Sequence, residues 1–198
     1  MTDNITVKDP YLTPELAQRC RDELNSLKDQ YVWAINRFVW GAGLFEESPG
    51  CYYITNVDPK TRDDIISDIK DNHGIELPDG VIMMYYMGEN LSEVHWHKDY
   101  TYDWAISIYL NQEWEESWGG IFEYCTDELI TDDSDVNRVL PIFNRGVEQR
   151  GQINHRVTTT TQDAIVRESI QIFVPLDPEM SNEMDKAMYH YQSIENTF

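Results

Sequence analysis

The segment Val81-Ile82-Met83-Met84-Tyr85-Tyr86 is an unbroken apolar run with strand composition, and from it onward the pattern of the chain changes. Further apolar, β-rich segments follow, separated by turn or acidic residues, at 104–110, 120–125, 138–143, 153–158 and 165–174. Six or more short strands after a helical first third indicate an α+β, mainly β, protein with a sandwich or jelly-roll core.

Upstream of this run, two segments carry helix start signals. In each, a residue with a side-chain oxygen (Thr13, Asp58) precedes a proline, which fits the N-cap and first helical positions. Gly74 predicts the end of the second helix. Between the two helices, residues 31–57 are rich in aromatics and glycine, which predicts an early strand, an exposed loop over 41–50 and another strand.

These patterns predict a single domain over residues 1–198. We expect helical N-terminal support over about 1–80, a jelly-roll core over about 81–176 and a tail over 177–198. Within the tail, Met180, Met184 and Met188 recur at helical spacing, which predicts a helix packed on the body. The acidic segment 126–137 is expected to be a solvated loop, with a lid over a site as the alternative.

The charge of the chain excludes several kinds of partner. Its 198 residues carry 36 acidic and 15 basic side chains, a formal net charge of −21, which argues against nucleic-acid and anionic-membrane surfaces. No apolar run reaches the roughly 18 residues that a membrane span needs, and the N-terminus has no secretory pattern. The three cysteines are widely spaced, so we expect a cytoplasmic protein without disulfides.

The densest group of candidate metal ligands is His95-Trp96-His97-Lys98-Asp99. Residues two apart in an extended segment project to one face, so His97 and Asp99 are able to point at one ion, with His95 on that face too. His155 lies in a later predicted strand. Two imidazoles and one carboxylate make the facial triad of non-haem Fe(II) sites. The alternative is a His/Asp pair at the surface end of a strand.

Arg167 lies in the last predicted strand, where residues alternate in character. Ile170, Ile172 and Val174 form one apolar face, whereas Arg167, Ser169, Gln171 and Phe173 share the other, as expected of a strand that lines a cavity. An arginine there has the planar fork that binds a carboxylate bidentately. By the same alternation, Tyr109 faces the interior from residues 104–110. The alternative for Arg167 is an ion pair with one of the many acids.

At this point the sequence resembles the prolyl 4-hydroxylase-like branch of the Fe(II)/2-oxoglutarate-dependent oxygenases. The resemblance rests on the order of five motifs across roughly residues 81–176: Tyr86-Met87-Gly88, His97-Lys98-Asp99, Ile108-Tyr109-Leu110-Asn111 with Trp118-Gly119-Gly120, His155-Arg156-Val157 and Arg167-Glu168-Ser169-Ile170. The resemblance implies a double-stranded β-helix (jelly-roll) core with N-terminal helices packed on it.

The resemblance also implies the roles of individual residues. Iron would be bound by His97, Asp99 and His155; Arg167, helped by Tyr109, would hold the far carboxylate of 2-oxoglutarate, and Tyr86 would lie near this cosubstrate. Fe(II), 2-oxoglutarate and O2 are the implied cofactors, with ascorbate a candidate reductant. The basic residue is Arg167, where collagen-type prolyl hydroxylases have lysine, and residues 158–164 form a longer connection than usual.

The implied activity is hydroxylation of an unactivated C–H bond with release of succinate and CO2. A prolyl residue of a peptide or protein is the first expectation, and a free amino acid or other small molecule is the alternative. A jelly-roll module that binds without catalysis is a further alternative. Trp33, Trp40, Tyr52 and the 41–50 loop are candidates for a substrate groove, and His95 is expected near the site as a polar neighbour. The acidic exterior favours a basic substrate.

Overall fold

The structure is a computed structural model that describes residues 4–30, 32–131, 134–177, 179 and 180, without the side chain of Phe38. Met184 and Met188 of the predicted tail helix therefore lie outside the described residues. Across the described residues, no helix is both long enough and apolar enough to cross a membrane. The division into N-terminal support, core and tail stays a prediction.

The two long helices begin and end close to where the sequence predicts. The helices are α1 (Pro14–Leu27), α2 (Asn36–Val39), α3 (Ala42–Glu47) and α4 (Pro59–His73). Asp58 caps α4 by accepting hydrogen bonds from the backbone N–H groups of Lys60 and Thr61, and Gly74 ends it with φ +66°. The expectation of an exposed loop over 41–50 is wrong, because α3 occupies most of it.

Two antiparallel sheets form the core. The strands are β1 (Ile5–Lys8), β2 (Ala34–Ile35), β3 (Tyr52–Asn56), β4 (Ile82–Gly88), β5 (Val94–His97), β6 (Tyr102–Tyr109), β7 (Phe122–Cys125), β8 (Asn137–Val139), β9 (Gly146–Arg150), β10 (Asn154–Val157) and β11 (Arg167–Pro175). The major sheet has the order β1-β9-β6-β11-β4-β3-β2, and the minor sheet has the order β5-β10-β7-β8. This mainly β architecture confirms the predicted jelly-roll fold class.

The major sheet uses its two faces differently. Its outer face packs Ile106, Ile108, Ile170 and Ile172 into one apolar cluster with residues of α1 and α4. The inner face turns toward the minor sheet, and alternation along β11 places Arg167, Gln171 and Phe173 on that side. The predicted alternation of β6 and β11 is therefore confirmed, and it directs polar side chains into the space between the sheets.

Candidate active site

A cavity of about 460 Å³ lies between the two sheets. The β5–β6 connection forms part of its wall, as do Trp40 and the following α3 segment. Trp40 and Tyr52 line it as expected, whereas Trp33 packs against the outer apolar core instead. The volume is within the range typical of small-molecule sites.

His97, Asp99 and His155 come together at one side of this cavity. Their ligand atoms all lie within 4.8 Å of one another. The Asp99 carboxylate spans the two rings, with Oδ1 at 3.7 Å from Nε2 of His97 and Oδ2 at 3.6 Å from Nε2 of His155. The pairing of β10 with β5 sets His155 directly opposite His97, which explains how residues so far apart in sequence meet. The three predicted ligands therefore form one group able to hold a metal ion.

Both imidazoles are oriented by the same kind of contact, between Nδ1 of the ring and the carbonyl oxygen of the residue two positions earlier. Nδ1 of His97 lies 2.7 Å from the carbonyl oxygen of His95, and Nδ1 of His155 lies 3.0 Å from that of Ile153. Each ring thus turns its Nε2 atom toward Asp99, as metal-binding histidines do when the other nitrogen is engaged. Burial, with a smaller contribution from His155, lowers the pKa of His97 to about 4. At neutral pH its ring is uncharged, the form that binds a metal.

His95 enters this site through its backbone and not through its imidazole. The register of β5 against β10 shifts between Val94 and His97, so three residue steps on β5 span two on β10. This β-bulge interrupts the two-residue alternation, and both Val94 and His97 face the cavity as a result. The expectation that His95 shares the face of His97 and Asp99 assumed a regular strand and is not met.

Arg167, the first residue of β11, also lines the cavity. Its side chain is buried, and its Nε–H donates to the carbonyl oxygen of Gly120 at 2.9 Å. Its guanidinium carbon lies 5.0 Å from the centre of the Tyr109 ring. No acidic side chain of the described residues forms an ion pair with Arg167, so the alternative of an internal salt bridge is wrong. A buried cation without an anion favours an anionic ligand.

Two phenols near Arg167 lack hydrogen-bond partners. The hydroxyl oxygens of Tyr52 and Tyr109 are buried, and neither makes a hydrogen bond of regular geometry to a described residue, although Ser92 neighbours the first and Arg167 the second. Burial raises the pKa of both hydroxyls, opposed by the charge of Arg167, so both remain protonated donors at neutral pH. Unsatisfied buried donors are uncommon in folded proteins. Together with Arg167 they fit a carboxylate group.

Two glycines leave room for this end of the cavity. Gly88 on β4 pairs with Tyr52 on one side and with Arg167 on the other, and a Cβ there would lie 2.7 Å from Cε1 of Tyr52. Gly120 has φ +62°, and a Cβ there would approach Cδ of Arg167 to 3.2 Å. A side chain at Gly120 would therefore crowd Arg167.

Tyr86 also lines the cavity, on β4, where it pairs across the sheet with Ser169. Tyr52 is the residue whose place near Arg167 the sequence did not predict. Its only earlier signal is its position in an aromatic-rich segment, because its closeness to Arg167 depends on three strands, β3, β4 and β11, lying side by side.

No protein-family model and no curated protein sequence matches the chain, so the comparison rests on solved structures. The solved structures show that this chain has the jelly-roll fold found in 2-oxoglutarate- and Fe(II)-dependent oxygenases, and that its fold is similar to that of prolyl hydroxylases. A prolyl-4-hydroxylase from Pseudomonas putida has a TM-score of 0.63 at 16% identity, over 88% of this chain and 93% of that one.

Two further structures have the same fold. A prolyl hydroxylase from Trichoplax adhaerens, in complex with a peptide fragment of hypoxia inducible factor, has a TM-score of 0.63 at 14% identity, over 92% of this chain and 87% of that one. HygX from Streptomyces hygroscopicus, with nickel and 2-oxoglutarate bound, has a TM-score of 0.59 at 11% identity, over 87% of this chain and 83% of that one. At such identities the likeness defines the fold, while function depends on the site.

Proposed function

We propose that the protein is an Fe(II)- and 2-oxoglutarate-dependent hydroxylase. The single observation that supports this most is the pairing, in one cavity, of the His97, Asp99 and His155 group with the uncompensated cation of Arg167. The first is the facial triad that suits Fe(II), and the second suits the far carboxylate of a dicarboxylic cosubstrate. Neither group alone would distinguish this activity from simple metal or anion binding.

The residues divide the work between them. His97, Asp99 and His155 would hold the metal through two Nε2 atoms and one carboxylate, leaving its other positions open to the cavity. When bound, Fe(II) and 2-oxoglutarate supply the oxidising chemistry, in which O2 adds one oxygen atom to a C–H bond and one to the succinate formed alongside CO2. The chain itself orients these groups and limits the access of water.

Arg167 would bind the far carboxylate of 2-oxoglutarate, with the hydroxyls of Tyr109 and Tyr52 as additional donors. Tyr86 would contact the cosubstrate from β4. The formal charges of Fe(II), Asp99, 2-oxoglutarate and Arg167 are +2, −1, −2 and +1, and they sum to zero. A neutral set of groups is what a cavity shielded from water favours.

The substrate is proposed to be a prolyl residue of a peptide or protein. Support comes from the Trichoplax enzyme of the same fold, whose structure contains a peptide fragment. A free amino acid is the second candidate, and the position of Lys98 in the cavity supports this alternative. This lysine lines the cavity with a side chain 16% exposed, and its ion pair with Glu128 is long, at 3.9 Å. An ammonium so placed suits the carboxylate of a small substrate.

The test is formation of succinate from 2-oxoglutarate by the purified protein with Fe(II) and ascorbate in air. We expect slow turnover without substrate, abolished by a chelator and restored by Fe(II), and faster turnover with proline-containing peptides that gain 16 Da (one oxygen atom). Turnover stimulated by free amino acids alone would select the second candidate. No succinate under any of these conditions would contradict the proposal and favour a module that binds without catalysis.

A further inference from the structure

Gln149 is a buried, unpartnered amide in the cavity wall. It lies on β9, opposite Ala105 of β6, and both residues line the cavity. Gln149 is 4% exposed, and its side chain forms no hydrogen bond within residues 4–180 as far as the structure describes them. Its neighbour Glu148 faces the opposite way and accepts hydrogen bonds from Lys8 and Tyr11. Alternation along β9 therefore directs Gln149 inward.

A second glutamine in the same cavity, Gln171, forms hydrogen bonds through both its oxygen and its nitrogen. Oε1 of Gln171 accepts from the Ser107 hydroxyl at 2.6 Å, and Nε2 of Gln171 donates to the Ser169 hydroxyl at 2.9 Å. A polar side chain that faces the cavity without a partner contributes no hydrogen bond to the fold, and an apolar residue of similar shape would line the wall equally well. The difference between the two glutamines indicates that Gln171 is structural and that the Gln149 amide is free for a ligand.

The position of Gln149 separates it from the Arg167 end of the cavity. In the sheet, Gln149, Ala105 and Phe173 lie in one row across β9, β6 and β11. Phe173 is six residues beyond Arg167 on β11, a separation of about 20 Å along an extended strand. Phe173 stacks on Tyr102 with ring centres 4.5 Å apart, so this row has an aromatic wall. A ligand group at Gln149 therefore belongs to the substrate and not to the far carboxylate of the cosubstrate.

The chemistry of the side chain indicates which substrate group it would bind. A primary amide is uncharged and offers one acceptor and two donors, and its closest complement is another amide, which offers both a carbonyl and an N–H. A carboxylate would use only the donors and would leave Oε1 of Gln149 unpaired. Lys98 is the cavity-lining group better suited to a free carboxylate.

We propose that Gln149 hydrogen bonds to an amide group of the substrate and thereby selects amide-containing substrates over free amino acids. This inference rests on the proposed hydroxylase function and adds the group that orients its substrate. Gln149 acts here as a specificity-determining residue, since it positions the substrate without taking part in the metal centre or in binding of the cosubstrate.

The test compares Gln149→Met with the wild type and with Gln152→Met, a matched change at an exposed glutamine in the next turn. The probes are a library of acetyl-Gly-Xaa-Gly amides and the corresponding free amino acids. We expect capped peptides to stimulate succinate formation by the wild type. Gln149→Met should raise their KM about tenfold, the effect of roughly one to two lost hydrogen bonds, with kcat changed less than twofold. Gln152→Met should match the wild type.

Two controls separate this inference from the proposed function. Turnover of 2-oxoglutarate without substrate should be the same in all three proteins, because Gln149 is none of the residues assigned to the metal or to 2-oxoglutarate, and its row of the sheet lies six residues from Arg167 along β11. Equal KM values for wild type and Gln149→Met, or stimulation by free amino acids alone, would overturn the role of Gln149 while leaving the hydroxylase proposal standing. Absence of succinate in every sample would overturn both.

Discussion

The two faces of the major sheet are built from the same strands and have opposite character. On the outer face, Ile106, Ile108, Ile170 and Ile172 are completely buried against α1 and α4. The inner face carries polar groups instead. Among them are Arg167, which forms no ion pair within the described residues, and the buried hydroxyl of Tyr52. Apolar burial on one face stabilises the fold, and this stability allows the other face to keep polar groups unpaired for ligands.

The largest effect is expected when Asp99 on the cavity side is changed to alanine. Asp99→Ala removes the carboxylate that lies between the Nε2 atoms of His97 and His155. A metal ion would then have only the two imidazoles as ligands, and no carboxylate would offset its positive charge. We expect succinate formation to be abolished and Mn(II) to lose its ability to raise the melting temperature, measured by differential scanning fluorimetry.

His95→Ala is the matched control, because only the backbone carbonyl of His95 orients His97 and the substitution retains that carbonyl. We expect this variant to bind Mn(II) and turn over 2-oxoglutarate like the wild type. If Asp99→Ala kept both properties, the assignment of the metal ligands would be wrong.

The second effect concerns the buried cation. Arg167→Met keeps much of the side-chain volume but removes the charge-assisted hydrogen bonds to a carboxylate, each worth about 2 kcal/mol. Two such bonds correspond to a rise of about a thousandfold in KM for 2-oxoglutarate, measured by succinate formation. Arg156→Met is the control, since Arg156 pairs with Glu123 and is absent from the cavity wall. A rise of similar size in Arg156→Met would show that the effect is not specific to the cavity.

The third effect belongs to the outer face. Ile172→Ala removes a fully buried side chain from the apolar cluster and should lower the free energy of unfolding by about 3 kcal/mol, measured by urea denaturation. Below the unfolding transition, its KM for 2-oxoglutarate should match the wild type.

Phe173→Leu changes the next residue on the same strand, which faces the cavity and stacks on Tyr102. We expect a smaller loss of stability, under about 1.5 kcal/mol, together with weaker stimulation by substrate. If Phe173→Leu lost more stability than Ile172→Ala, the assignment of stability to the outer face and of ligand binding to the inner face would be contradicted.

The contrast between the faces also explains what the sequence could predict. The alternation of β11 identified both faces correctly, and the spacing of His97 and Asp99 predicted two members of the group that is able to hold a metal ion. These signals are local and regular. The strand β9 went unpredicted because Glu148 and Gln149 are polar on both faces, although both are buried. Its polar character is a product of the cavity on one side and of Lys8 and Tyr11 on the other.

Irregular backbone and long-range pairing account for the remaining differences. The β-bulge between Val94 and His97 turned His95 away from the expected face, and no local pattern marks a bulge there. Tyr52 comes near Arg167 only because Gly88 pairs with both residues from the strand between them. That placement depends on the strand order of the major sheet, which a single sequence does not specify residue by residue.

The smallest expected effect is that of Tyr52→Phe. This variant tests most directly whether polar groups on the inner face lack hydrogen bonds within the chain because they bind ligands. Tyr52→Phe removes a buried hydroxyl that makes no hydrogen bond of regular geometry among the described residues, with the Ser92 hydroxyl as its neighbour. We expect the free energy of unfolding to be unchanged or slightly higher, because no hydrogen bond is lost and an unsatisfied group disappears. The KM for 2-oxoglutarate should rise about fivefold, which corresponds to one hydrogen bond of about 1 kcal/mol to the carboxylate.

Tyr53→Phe is the control for this last variant, since Tyr53 is the neighbouring residue on β3 and its hydroxyl donates to Glu89 at 2.9 Å near the surface. It should leave the KM for 2-oxoglutarate unchanged. A loss of stability in Tyr52→Phe with an unchanged KM would mean that its hydroxyl serves the fold, and the closed end of the cavity would then bind the carboxylate through Arg167 and Tyr109 without it. A stable Tyr52→Phe with weaker binding of 2-oxoglutarate would instead establish that this hydroxyl is kept unpaired for the cosubstrate.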